Sequence, residues 1–259
     1  MSPPDASARA PRIVVTLGVP NDQAQHDLAV RRNDLYVAAI ARHGAVPVRL
    51  DARTPVVDRD EALRTMDGLL LSGGVDLDPG RYGQLIAGSR DIERDRDELE
   101  ALAWRAAESR QVPVLGICRG LQAINVFSGG SILQDVAGHA GAGYGTGPPA
   151  THPLRVVPGT RLAGFLGSAD TLEVNAYHHQ GIREGDLAPA LRPAAWADSS
   201  AGPLVEGLEG TDERFVVGVQ CHPERTESTP AAFEQLFAAF VRAAVLAQDL
   251  ARRRPRMVT

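Results

Sequence analysis

The stretch Val114-Leu115-Gly116-Ile117-Cys118-Arg119-Gly120-Leu121-Gln122 decides how this chain is read. Val114, Leu115, Ile117 and the Cys118 position form an apolar run that reads as a buried strand. A helical pattern from Leu121 to Phe127 follows at once. Gly116 and Gly120 flank the cysteine at two-residue spacing, the layout of a nucleophile elbow with sulfur in place of oxygen. Side chains at the flanking positions of so tight a turn would collide, which accounts for the glycines. The central side chain is then held out at a strand's carboxyl end and a helix's amino end. Unpaired N–H groups and a partial positive charge there favour a thiolate. The plainer alternative is a small buried hydrophobe, the common fate of a free cysteine.

Outward from this stretch, strands and helices alternate. Ile13 to Val19 is a β-branched run and a first strand; helical spacing runs from about Asp27 to His43, with Gly44 as the stop. Val46 to Leu50 reads as a second strand, Asp60 to Met66 as a short helix and Gly68 to Leu71 as a third, buried strand. The segment Ser72 to Gly83 is too rich in turn residues for a regular element, and Asp95 to Arg110 is a two-faced helix. This alternation predicts an α/β three-layer sandwich with a mostly parallel central sheet. Ligands of such sheets bind outside the carboxyl ends of strands. Ser72-Gly73-Gly74 and Cys118 both follow strands directly, so they are expected at one edge.

Residues 138–150 read as loop. Short strands then follow at Leu154 to Val157, Thr171 to Val174, Leu204 to Glu209 and Phe215 to Gln220, and a helix runs from Pro230. With no internal repeat or linker, residues 12–250 are expected to form a single domain. It would lie between a disordered tail at 1–11, rich in Pro, Ser and Ala, and a basic tail at 251–259.

Composition sets the outer bounds. The chain has 259 residues, 44% of them hydrophobic, enough for one sizeable core. Its net charge of −5 is spread over both signs, which argues against nucleic acid and acidic membrane surfaces. No stretch reads as the ~20 apolar residues of a membrane span, and the amino terminus does not resemble a signal peptide. Two cysteines make no disulfide framework and fit a reducing, cytoplasmic setting. No periodic apolar surface marks an interface, and a homodimer is the assembly left open.

A nucleophilic cysteine needs a base, a group that orients the base, and donors for an oxyanion. Among the seven histidines, His222 follows the strand Phe215 to Gln220 in Cys221-His222-Pro223-Glu224. Glu224, two residues on, can turn back to accept the second ring N–H of the base. A surface histidine beside a proline turn is the bland alternative. Cys221 would point to the other side of the strand, into the core. One oxyanion donor would be the amide after the nucleophile, Arg119; the other would come from Gly73-Gly74, which is suited to close approach. The paired His178 and His179 suggest metal ligands, but no third ligand stands at helpful spacing. Arg96, Asp97 and Glu100 share a helix at one-turn spacing, either as a solvated face or, the favoured reading, as an ion-pair cluster beside the site.

Taken in order, G-I-C-R-G-L-Q, S-G-G and V-Q-C-H-P-E resemble the class I glutamine amidotransferase superfamily, with its flavodoxin-like fold. G-G-V-D-L-D-P-x-x-Y-G (73–83), R-D-x-x-E (96–100), Gly129 to Asp135 and V-N-A-Y-H-H-Q (174–180) narrow the resemblance to the γ-glutamyl-γ-aminobutyrate hydrolases. It covers roughly Ile13 to Ala244. It implies a triad of Cys118, His222 and Glu224, oxyanion amides at Gly74 and Arg119, and a contact from Gln122 to the glutamyl part of a substrate. It also implies that His178, His179 and Gln180 line the same pocket as Gly73. The expected reaction is hydrolysis of a small γ-glutamyl amide, γ-glutamyl-GABA or a γ-glutamylpolyamine, through a thioester and without metal or organic cofactor.

Three departures stand out: Cys221, where relatives more often carry an aromatic residue, should change the packing that supports the base, while an insertion at 197–206 and the glycine-rich loop at 138–150 leave the released amine open. Two rival functions follow. One is a glutaminase subunit passing ammonia to a separate synthase; the other is a binding protein that keeps the fold. A peptidase or folate-type γ-glutamyl hydrolase is a further variant of the enzyme reading.

Overall fold

The computed structural model describes residues 9–19, 23–140, 147–167 and 171–253. Among them, β1 (Arg12–Thr16), α1 (Gln23–Arg42), β2 (Val46–Leu50), α2 (Val56–Thr65), β3 (Gly68–Leu71), α3 (Arg94–Arg110), β4 (Val114–Ile117) and α4 (Arg119–Phe127) alternate as expected. The rest of the described chain adds β5 (Ala150–Val156), α5 (Arg161–Leu166), β6 (Thr171–Ala176), β7 (Leu191–Ala197), β8 (Leu204–Gly210), β9 (Val216–Val219) and α6 (Glu234–Arg253).

The strands form one sheet in the order β2-β1-β3-β4-β9-β8-β7-β5-β6. From β2 to β9 the pairing is parallel; from β9 to β6 it is antiparallel. Alternate side chains of a strand point to opposite sides, and the inner parallel strands β1, β3, β4 and β9 are buried on both faces by helices. Ile13, Val15, Leu70, Leu115, Ile117, Val217 and Val219 pack with α1 and α6 residues such as Ile40, Phe237 and Phe240. Their neighbours Val14, Leu69, Leu71, Val114 and Val216 face Leu63, Leu99, Trp104, Leu121 and Ile124 of α2, α3 and α4.

Two elements were not expected. Strand β7 carries Arg192 and Pro193, which break the apolar alternation, and α5 is only six residues long. The supposed insertion at 197–206 is the turn between β7 and β8 with the ends of both strands, closed by Ser199 Oγ donating to the Gly202 carbonyl at 2.6 Å.

Residues at both expected tails join described elements. Residues 1–8 lie outside the described residues, but Arg9 bonds Asp67 at 2.8 Å and the Pro11 carbonyl accepts from Val46, so 9–11 join the folded body. Helix α6 runs on through 251–253, and 254–259 lie outside. Residues 231–252 also have the length and apolarity of a membrane span, contrary to expectation. One face of that helix is nonetheless core: Leu236, Phe237, Phe240 and Ala244 are fully buried.

Candidate active site

Three adjacent parallel strands deliver the candidate residues to one edge. β3 opens into Ser72-Gly73-Gly74, β4 ends at Cys118, and β9 runs into Gln220-Cys221-His222. Sheet register, not loop chance, therefore brings them together.

The elbow is as tight as the glycine spacing implied. Cys118 sits at φ 53, ψ −107, between β4 and the amino terminus of α4, a conformation costly for a non-glycine residue. A Cβ at Gly116 would lie 2.5 Å from the Gly120 carbonyl oxygen, and one at Gly120 would lie 1.9 Å from that of Leu71. The Cys118 N–H donates to the Val219 carbonyl at 2.8 Å, fixing the end of β4 to β9.

His222 is clamped from all sides. Its backbone N–H donates to Asn175 Oδ1 at 2.8 Å, and Asn175 Nδ2 and Thr229 Oγ1 donate to its carbonyl at 3.1 and 2.9 Å. Its Nδ1 meets Glu224 Oε1 at 2.7 Å, and the ring is hydrogen-bonded to Cys118. With Nδ1 committed, Nε2 is the atom left to face the sulfur. Burial opposes a charge on this imidazole, but the Glu224 carboxylate and the Cys118 sulfur outweigh it and raise its pKa to about 10.

The hydrogen bonds bring in two residues that sequence reading passed over. The buried Tyr36 hydroxyl lies 3.3 Å from His222 Nδ1 and accepts the Gly73 N–H at 3.1 Å. Gln220 Nε2 donates to Cys118 Sγ at 3.4 Å. Tyr36 looks in sequence like any apolar-face residue of α1, and Gln220 like a strand's polar end; neither carries a local signal. Cys221 is 1% exposed and packs in the core, as expected.

The Arg96, Asp97 and Glu100 cluster is buried and completed by Arg119, all four residues being 2% exposed or less. Arg96 donates through Nε to Glu100 at 2.9 Å and through its terminal nitrogen to the Ser72 and Gly73 carbonyls at 3.0 Å. The Arg119 guanidinium pairs with both Asp97 and Glu100. Burial would raise the Glu100 pKa, but Arg119 and Arg96 together hold it below the usual carboxylate value. Two cations and two anions thus bind the glycine loop and the residue after the nucleophile to one helix, the balance that burial requires.

The side chains expected to contact substrate make these hydrogen bonds within the protein. Gln122 Nε2 donates to Gln220 Oε1 at 3.1 Å and to the Gln180 carbonyl at 3.4 Å. His179 lies between Asp76 (2.9 Å) and Asp135 (3.2 Å), and Gln180 Nε2 reaches Ser89 Oγ at 2.9 Å. His178 turns the other way, toward His139, His152 and Glu206. His139, His152 and Glu206 thus bring possible metal-ligand atoms to within 4.8 Å of that of His178 and of one another, and His179 is not among them. Of the pocket residues expected, Gly73 lies against both catalytic candidates: a Cβ there would be 2.8 Å from His222 Cε1 and 3.5 Å from Cys118 Cβ.

A buried sulfur, an imidazole beside it and a carboxylate behind the imidazole are an arrangement that can serve as a nucleophile with its own acid and base. The family model described as Peptidase C26 matches residues 15–224. A Mycobacterium tuberculosis protein provisionally named as a glutamine amidotransferase is 36% identical over 74% of this chain, and the match spans 61% of that longer relative. The γ-glutamyl-γ-aminobutyrate hydrolase PuuD of Escherichia coli K12 is 30% identical over 80% of this chain and 84% of its own length. The glutaminase domain of Trypanosoma brucei CTPS, solved with bound acivicin, superposes with a TM-score of 0.60 at 17% identity, over 92% of this chain and 94% of that one. That likeness is one of fold.

Proposed function

Because the chain belongs to the Peptidase C26 family, of class I glutamine amidotransferase-like fold, we propose that it hydrolyses a small γ-glutamyl amide to glutamate and a free amine. The observation that carries this reading is the Cys118–His222–Glu224 relay at the carboxyl edge of three neighbouring strands. The Cys118 thiolate attacks the γ-carbonyl carbon. Its oxygen takes the negative charge, held by the amides of Gly74 and Arg119, since the Gly73 N–H is committed to Tyr36. His222 gives its proton to the departing amine, the C–N bond breaks and a γ-glutamyl thioester remains. His222 then takes a proton from water, whose oxygen attacks the thioester; glutamate leaves and the His222 proton balances the thiolate. These steps call on no metal or organic cofactor. Two free thiols suit a reducing cytoplasm.

A γ-glutamyl-GABA or γ-glutamylpolyamine substrate is favoured by the kinship with PuuD. The second reading, a glutaminase subunit serving a separate synthase, draws on the amidotransferase name of the mycobacterial relative. Glutamate release from γ-glutamyl-GABA, γ-glutamylputrescine, γ-glutamylethanolamine and glutamine, with Cys118→Ala as control, separates them. Cys118-dependent release from one γ-glutamyl amine and little from glutamine is expected. Release from glutamine alone, or none without a partner, would favour the second reading.

A further inference from the structure

Behind the catalytic relay, four side chains from separate segments converge on one point. His139 comes from the loop after α4, His152 from β5, His178 from the segment after β6 and Glu206 from β8. One ligand atom from each lies within 4.8 Å of every other. His139 Nδ1, His152 Nε2, His178 Nε2 and both oxygens of Glu206 are buried and make no hydrogen bond among the described residues. The Glu206 oxygens stand 3.6 Å from His152 Nε2 and from His178 Nε2, too far for hydrogen bonds. That spacing is close to the edge of a tetrahedron with zinc–nitrogen bonds of about 2.0 Å. Unpaired buried polar atoms are costly, and an unpaired carboxylate most of all.

The opposite ring nitrogens are all committed. His178 Nδ1 donates to the Gln180 carbonyl at 2.9 Å, His152 Nδ1 meets the Pro153 carbonyl at 3.3 Å, and His139 is hydrogen-bonded to the Asp198 backbone. Backbone carbonyls thereby fix each tautomer so that the inward nitrogen carries a lone pair, the arrangement metal-bound histidines show.

We propose that His139 Nδ1, His152 Nε2, His178 Nε2 and a Glu206 oxygen bind one divalent first-row transition ion of the zinc type. Four protein ligands close its coordination, so the ion is structural and supplies no step of the hydrolysis. It joins the loop after α4 and three segments of the antiparallel wing to the shell around the nucleophile. The Gln180 carbonyl that holds His178 also accepts from Gln122, and the Glu206 carbonyl accepts the Gln220 N–H at 2.9 Å.

The test is metal content by mass spectrometry on full-length protein made without a histidine tag. About one zinc per chain is expected, falling below about a tenth in Glu206→Gln and His152→Ala, since each removes one of four ligands. Stripping the wild type with a chelator should lower its melting temperature, zinc should restore it, and cobalt should bind with the visible bands of a tetrahedral ion. Should both variants fail to fold, wild-type metal content and the cobalt spectrum decide. Wild type that holds no metal and takes up neither ion saturably would overturn the proposal, leaving Glu206 as a neutral, water-bound carboxyl. So would metal that both variants retain.

Discussion

The Arg96 guanidinium lies directly beneath Gly74, so close that a Cβ at Gly74 would sit 2.1 Å from its terminal nitrogen. That guanidinium is itself pinned by Glu100 and by the Ser72 and Gly73 carbonyls. Gly74→Ala must therefore push the loop away, and with it the amide proposed for the oxyanion. We expect kcat to fall on the order of 10²-fold with little change in KM, the mark of a lost transition-state donor. Steady-state kinetics on the preferred γ-glutamyl amide check this; an unchanged kcat would remove Gly74 from the mechanism.

Tyr36→Phe removes the acceptor of the Gly73 N–H and the hydroxyl beside His222 Nδ1 without changing ring volume. A buried donor left without its partner costs about 1–3 kcal/mol. Denaturant unfolding should register that loss, and activity should fall with it because the loop and the base lose a shared support.

Glu100→Gln unbalances the buried set of Arg96, Asp97, Glu100 and Arg119. Breaking such a network strands a cation, with a cost on the order of 3–5 kcal/mol. Calorimetry of the variant should show this drop, whereas Glu98→Gln, on an exposed acid of the same helix, should leave stability almost unchanged.

The imidazole of His222 faces Glu224, Cys118 and Tyr36, with the Tyr177 ring edge-on at 5.6 Å and the buried His178 nearby. Its pKa of about 10 stands above the usual 6.5, so the folded state binds this proton more tightly than the unfolded chain. The resulting stabilisation is complete below pH 6.5 and lost as pH rises toward about 10. Melting temperatures over that window should fall more steeply for the wild type than for His222→Gln. Parallel curves would mean the imidazole is not held charged.

Much of this was legible in the chain, and the reason is local. Gly116-Ile117-Cys118-Arg119-Gly120 states its own geometry, because two glycines one turn apart are required only where backbone meets backbone. His222 and Glu224 are two residues apart and need no tertiary knowledge to be paired. Tyr36 and Gln220 were illegible because their partners, His222, Gly73 and Cys118, are distant in sequence. The same holds for His139, His152 and Glu206: each is a lone polar residue until the antiparallel sheet order β8-β7-β5-β6 and the loop after α4 bring them together. The pocket roles given to Gln122, His179 and Gln180 came from motif resemblance, which cannot tell a side chain that touches substrate from one that braces the wall.

Strand β9 is inserted between β4 and β8, although it is the last strand among the described residues. During synthesis the nucleophile strand must therefore wait with one edge unpaired until residues 216–219 have emerged. The strand that finally closes that edge is also the one that leads into His222. A chain that stops short of β9 leaves that edge open to other chains and holds Cys118 without His222, so the proposed relay forms only once β9 has paired.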